Sequence, residues 1–205
     1  MNFLFENDIQ LENDFALLRP LMENDLINLF AAATADTVLL QYSPSPIYNK
    51  ELLEKYIGKA LENRLSKNRY TFCVFDKIRN KYAGCTSYLN ISNADDRLEI
   101  GGTWYAKEFQ KTGLNRNCKF LLLEYAFEIL GAERIEFKTD ERNIASRTAI
   151  EKIGGKFEGI LRNHTLMSDG FRRNTVSYSM LKDEWEKIKK DEVFNSIPKK
   201  KNICK

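Results

Sequence analysis

Apolar positions along this chain change their period several times, and each change marks an element. Residues 15–19 form a short apolar run closed by Pro20, a first strand. Residues 22–33 carry Leu26, Leu29, Phe30 and Ala33 on one face and predict a helix. An irregular stretch over 34–48 follows, broken by Ser43-Pro44-Ser45-Pro46. Asn49 is placed to cap a second helix reaching about residue 66, with Leu52, Leu53, Tyr56, Ile57, Ala60, Leu61 and Leu65 inward. Residues 69–75 and 82–89 read as an antiparallel hairpin, and 97–105 as a further strand. Leu114, Cys118, Leu121, Leu122, Tyr125 and Ile129 then recur at spacings of three and four, a helix to about residue 130 that Gly131 stops. Residues 134–139 are a strand, parallel to its predecessor because a helix connects them. A helix over 143–153 stops at Gly154-Gly155, a hairpin of 157–167 and 171–181 turns at Asp169-Gly170, and residues 182–190 add a short helix.

This pattern is one mixed α+β domain over residues 13–190, with 1–12 as an N-terminal extension and 191–205 as a disordered basic tail. A length of 205 residues suits one sizeable core and is short for two. The net charge is only +3, and part of it sits in Lys199, Lys200, Lys201 and Lys205, so no internal element carries the massed basic residues of a nucleic-acid footprint. The four cysteines, Cys73, Cys85, Cys118 and Cys204, have no C-x-x-C spacing and lie far from the single histidine, His164, so no metal site is expected. The N-terminus lacks the pattern of a signal peptide and no apolar run approaches membrane length, which implies a cytoplasmic protein without a membrane partner.

The candidate chemistry begins at Gln110-Lys111-Thr112-Gly113-Leu114-Asn115, between a strand and a helix. Backbone N–H groups at a helix N-terminus point at anions, and Lys111 and Arg116 add charge, so this turn is a candidate phosphate site. A glycine serving geometry alone is the competing reading. Neither G-x-x-x-x-G-K-[ST] nor G-x-G-x-x-G is present, which excludes a P-loop and a dinucleotide fingerprint.

The element order, together with Leu98-Glu-Ile-Gly101, Gln110-Lys-Thr-Gly-Leu-Asn115, Thr139-Asp-Glu-Arg-Asn-Ile-Ala-Ser146 and Ile150-Glu-Lys-Ile-Gly-Gly-Lys-Phe-Glu-Gly159, resembles the GNAT acyltransferase superfamily in its RimJ/RimL-type branch. The resemblance covers roughly residues 15–185. It implies a central, mostly antiparallel sheet flanked by helices, with one parallel strand pair splayed to admit coenzyme A. It also implies acetyl transfer from acetyl-CoA to an amine. The family pattern Q/R-x-x-G-x-G/A ends on a small residue where this chain has Asn115, whose amide is expected to hydrogen-bond a phosphate oxygen instead.

By this resemblance, Thr103, Trp104 and Tyr105 line the pantetheine arm, residues Gln110, Lys111, Thr112, Gly113, Leu114 and Asn115 hold the pyrophosphate, and Asn143 and Ser146 complete the cofactor contacts. Gly101-Gly102 inside a strand independently signals a bulge or close backbone approach, and a bulge frees an N–H for a developing oxyanion. Glu99 is the candidate general base, with an exposed strand carboxylate as the alternative; His164 is its rival, or a surface histidine. Asn143 also suits a helix cap, and Ser146 is either the general acid or an ordinary first-turn serine.

The expected activity is N-acetyl transfer to a protein N-terminus or small amine by direct attack in a ternary complex. A non-catalytic acyl-CoA sensor of the same fold is the rival, and an enzyme binding a different phosphorylated ligand at the turn is a third reading. Homodimerisation through an exposed edge strand is left open.

Overall fold

The computed structural model describes residues 1–190 together with Phe194. The strands are β1 (Leu11–Glu12), β2 (Ala16–Pro20), β3 (Arg69–Asp76), β4 (Lys81–Ser92), β5 (Arg97–Tyr105), β6 (Arg134–Asp140), β7 (Lys156–Leu166) and β8 (Arg172–Leu181). They form one sheet in the order β1-β2-β3-β4-β5-β6-β8-β7. Every neighbouring pair is antiparallel except β5 and β6, which are parallel as the helical crossover requires. The helices are α1 (Asp25–Thr34), α2 (Lys50–Leu65), α3 (Leu114–Glu124), α4 (Ile144–Lys152) and α5 (Lys182–Ile188). The expected mixed α+β architecture with one parallel pair is present. None of the described helices is long and apolar enough to cross a membrane.

The two sheet faces are covered by different helices. Tyr70, Phe72 and Tyr88 share one face, where Tyr70 and Tyr88 pack edge-on with Phe3 and Phe72 packs against both, and the Tyr88 hydroxyl anchors α3 by donating to the Leu122 carbonyl at 2.7 Å. On the other face, the ring of Tyr56 from α2 packs edge-on to Trp104 of β5, centroids 6.2 Å apart. Helix α1 is fixed there by Asp25, fully buried and bonded to both terminal nitrogens of Arg19 at 2.6 and 2.8 Å. That pair sets the rotation of α1: its buried face is Asp25, Leu29, Ala32 and Ala33, and Phe30, expected inward, is exposed.

Two further differences have local causes. Helix α3 widens into a π turn over Tyr125–Ile129, which carries Ile129 off the apolar stripe and leaves it 70% exposed. Leu65, the last residue of α2, lies past the core edge and is 84% exposed. Residues 1–12, read from sequence as an extension, put Phe3, Phe5 and Ile9 into the core and supply β1. The basic tail expected over 191–205 lies, apart from Phe194, outside the described residues.

Candidate active site

Strands β5 and β6 pair only where Arg97, Leu98 and Glu99 face Arg134, Ile135 and Glu136. Beyond Glu99 the two strands share no register, while β6 continues along β8 as far as Asp140. The parallel pair therefore opens toward its carboxyl end. On the other side of β5 the register slips: Ser87 faces Gly101 but Cys85 faces Trp104, so β5 carries one extra residue. The expected bulge is present, with Gly102 at φ +56° and exposed within the sheet. A Cβ on Gly102 would lie 2.6 Å from Nη2 of Arg69, so the left-handed conformation favours glycine here and any side chain would push the Arg69 guanidinium aside.

The chain leaves β5 through one turn of 3-10 helix, Lys107–Phe109, and reaches α3 by the candidate phosphate turn. The Gln110 amide donates to the Tyr105 carbonyl at 3.0 Å, and the Thr112 hydroxyl donates to Phe109 and accepts from the Leu114 amide. These bonds fold the turn onto the end of β5. Gly113 caps α3 at φ +91°, a left-handed conformation that strains any residue with a Cβ, and Lys111 at φ +60° precedes it. The Asn117 amide fastens the Gly113 carbonyl at 3.0 Å and is itself held by Asn13. First-turn amides of α3 have no intrahelical partner, and Asn115 Oδ1 and Arg116 Nε are buried without one. The turn has groups that suit a pyrophosphate: first-turn amides at a helix N-terminus, the unpartnered Arg116 Nε donor and the Lys111 and Arg116 charges. Asn115 Oδ1 is an acceptor and would have to exchange places with its amide nitrogen to donate. Thr103 faces α3, where its hydroxyl meets Thr86 at 2.7 Å and accepts from the Lys119 ammonium at 2.9 Å. Lys119 is buried, and that burial pulls its pKa down to about 8. Trp104 and Tyr105 are buried on opposite faces, Trp104 against Tyr56 of α2 and Tyr105 beside Cys118 of α3.

The acid–base candidates lie on different elements around the opening. Glu99 sits where β5 and β6 part, and is not the exposed carboxylate of the alternative reading. It is only 7% exposed and accepts from Lys138 at 2.9 Å and Asn90 at 2.8 Å. Burial would lower the Lys138 pKa, but bonds and charge from Glu99 and Glu136 outweigh it and raise the group. Asn143 is the N-cap of α4 through the Ser146 amide at 3.0 Å, so its cap reading holds. Ser146 is partly buried, and its hydroxyl has no hydrogen bond among the described residues. His164 is exposed on β7, its Nδ1 3.1 Å from the Thr175 hydroxyl; Thr175 pairs with Asp140 at the end of β6. No bond links Glu99, Ser146 and His164 to one another. A cavity of about 240 Å³ lies nearby between the 36–48 segment and the β7–β8 turn, lined in part by Asp36, Leu40, Tyr48, Met167 and Asp169.

The parallel pair is splayed, β5 is bulged and α3 opens on a glycine-capped turn, and the model of an acetyltransferase (GNAT) domain matches residues 16–156. The chain belongs to the GNAT acetyltransferase family. It is 32% identical over 156 residues to the Bacillus subtilis (strain 168) protein named "Putative ribosomal N-acetyltransferase YdaF", covering 68% of this chain and 84% of that relative. That similarity bears out the RimJ/RimL-type branch. A GCN5-related N-acetyltransferase from Brucella melitensis superposes with a TM-score of 0.83 at 27% identity, covering 91% of this chain and 84% of that one. The ribosomal-protein-S5-alanine acetyltransferase from Vibrio fischeri shares the fold, with a TM-score of 0.68 at 19% identity over 87% of this chain and 99% of that one. In this GNAT protein the candidate site also contacts residues that the sequence pattern does not single out. Asn90 and Lys138 hold Glu99, and Arg69 reaches the bulge. Lys119 is the exception: it stands next to Cys118 and three residues before Leu122, so the helical period itself places it at the edge of the buried stripe.

Proposed function

We propose that this GNAT enzyme transfers an acetyl group from acetyl-CoA to a primary amine by direct attack within a ternary complex. The observation that carries the reading is the opening between β5 and β6 beside the Gly102 bulge, with the α3 N-terminus at the end of the same strand. Acetyl-CoA supplies the activated thioester. Residues 110–116 bind its phosphates, Thr103 to Tyr105 line the arm, and a bulge N–H donates a hydrogen bond to the carbonyl oxygen as negative charge develops on it. Glu99 takes the proton of the attacking amine, directly or through water. A lysine-type amine at ~10.4 needs that help more than an N-terminal amine near ~8. Asn143 and Ser146 stand at the start of α4, where the Ser146 hydroxyl is free to return a proton to the departing thiolate. His164 is the second candidate base. Burial pushes the Cys85 and Cys118 thiols up to about 12, which argues against a thiolate nucleophile and for direct transfer.

The name of the B. subtilis relative makes protein N-termini, ribosomal ones included, the first acceptors to try beside small amines. The test follows release of free thiol from acetyl-CoA across an amine panel. The account predicts turnover that depends on the amine. A variant combining Glu99→Gln, Ser146→Ala and His164→Ala separates the readings: its loss should far exceed the about tenfold that positioning alone leaves. Tight acetyl-CoA binding with no turnover on any amine favours the acyl-CoA sensor, for which the Lys138–Glu99 pairing is the motive.

A further inference from the structure

Arg69 opens β3, and its guanidinium is held in place by neutral partners. Nε donates to the Ser87 hydroxyl at 2.9 Å, Nη2 to the Tyr56 hydroxyl at 3.3 Å, and the group lies over the Tyr56 ring, 5.7 Å from its centroid. Tyr56 is fixed in turn by Trp104, whose Nε1 donates to the same hydroxyl at 3.3 Å. No carboxylate among the described residues lies within 4 Å of Arg69. Arg19, Arg64 and Arg134, also partly buried, each have a carboxylate oxygen within 2.5–2.7 Å, whereas Arg69, like Arg147 and Arg173, has only neutral hydroxyl or carbonyl partners among the described residues. Hydroxyls leave the charge of Arg69 uncompensated, and a half-desolvated guanidinium in a planar fork is a receptor for a carboxylate.

Its position says which carboxylate. A Cβ on Gly102 would come 2.6 Å from Arg69 Nη2, and one on Gly101 would come 3.1 Å from Glu99 Oε1. The two glycines add no side chains of their own between a carboxylate and a guanidinium, and Leu89 Cδ1 borders this space, 2.8 Å from where a Gly101 Cβ would lie. Arg69 and Glu99 both pair with Leu89, one on each side of β4, so their backbones lie two strand spacings, about 9–10 Å, apart and their side chains reach toward the glycines. Arg173 of β8 adds a second guanidinium near the opening, bonded only to the Thr175 hydroxyl and the Tyr42 carbonyl, with no carboxylate within 4 Å among the described residues.

Resting on the acetyl-transfer reading above, we infer that the acceptor carries a carboxylate beside its amine: the amine faces Glu99 and the carboxylate docks on Arg69. Two sources share this chemistry, a free amino acid and a peptide N-terminus with an acidic residue close behind it. The test compares matched acceptors by thiol release: amino acids against their amides, and peptides with Asp or Glu against Asn or Gln at the second position. A charged hydrogen bond of this kind predicts about a tenfold to hundredfold higher kcat/KM for the carboxylate member of the correct arm. Arg69→Gln should abolish that preference by lowering only the carboxylate acceptor, Arg69→Lys should keep part of it, and calorimetric acetyl-CoA affinity should be unchanged in both. Equal loss on both members would overturn the inference and assign Arg69 to the reacting carbonyl. So would turnover with no carboxylate preference in the unsubstituted enzyme, or acetylation of neutral amines alone. Failure to bind acetyl-CoA at all would instead overturn the functional reading beneath it.

Discussion

Replacing Lys119 by methionine should make the protein more stable at neutral pH, and less so as the solution becomes alkaline. Lys119 is 7% exposed, and its ammonium has one neutral partner, the Thr103 hydroxyl at 2.9 Å. Burial lowers its pKa from 10.5 to about 8. At ~1.36 kcal/mol per tenfold change in proton affinity, holding the charge in the fold costs about 3 kcal/mol at pH 7. The pKa is depressed on folding, so the unfolded chain binds the proton more tightly. The cost is complete below pH 8 and is relieved as pH rises from about 8 to 10.5. Methionine matches the length, and Thr103 keeps its bond to Thr86, so no hydroxyl is orphaned. Allowing about 1 kcal/mol for the lost hydrogen bond leaves a gain of about 2 kcal/mol at pH 7. Urea unfolding of both proteins from pH 7 to 10.5 measures it, the difference falling through zero toward a loss of about 1 kcal/mol at the alkaline end. A variant less stable than its parent at pH 7, or a difference independent of pH, would refute the reasoning.

Other expectations test other parts of the structure. Asp25→Asn should destabilise by about 1.5–3 kcal/mol in urea unfolding, because it leaves the partly buried Arg19 without its charge partner. Burial would raise the Asp25 pKa, but bonds from Arg19, Asn28 and the Met22 amide outweigh it and hold the group below its usual 3.8. That stability is present above 3.8 and fades as pH falls below it, so the two proteins should converge in acid. Glu99→Gln should lower kcat/KM at least about tenfold at pH 7, with the loss shrinking as pH nears the amine's own ~8 in the case of an N-terminal acceptor. A loss equal at every pH would mark Glu99 as the structural partner of Lys138. Gly102→Ala should weaken turnover and disturb the Arg69 guanidinium together, checked by kcat/KM and by loss of any carboxylate preference.

Much of this fold was legible because its signals are local. The strand at 97–105, the Asp169-Gly170 hairpin and the Asn49 and Asn143 caps each rest on a few adjacent residues, and each is present. The bulge was also legible, since Gly101-Gly102 in a strand has few other uses. Distant pairings were not. Nothing near Glu99 in sequence announces Lys138, thirty-nine positions away, or the burial that results. Arg69, opening a strand, reads as a solvated end until β4 and β5 are laid beside it. Phe3, Phe5 and Ile9 belong to a segment too short for any period, so their place in the core depends on the aromatic face that receives them. The RimJ/RimL-type resemblance supplied the splay and the roles around it, which the hydrophobic pattern alone does not encode.

The most direct test of the central claim is calorimetric titration of the protein and its Gly113→Val variant with acetyl-CoA, using ATP and NAD as controls. Valine at φ +91° strains the α3 cap by about 1–3 kcal/mol and misplaces the amides that face the phosphates. The account predicts micromolar binding of acetyl-CoA, at least about tenfold weaker in the variant, and little binding of either control. No binding at millimolar acetyl-CoA, or binding that ATP matches and the variant retains, would contradict it.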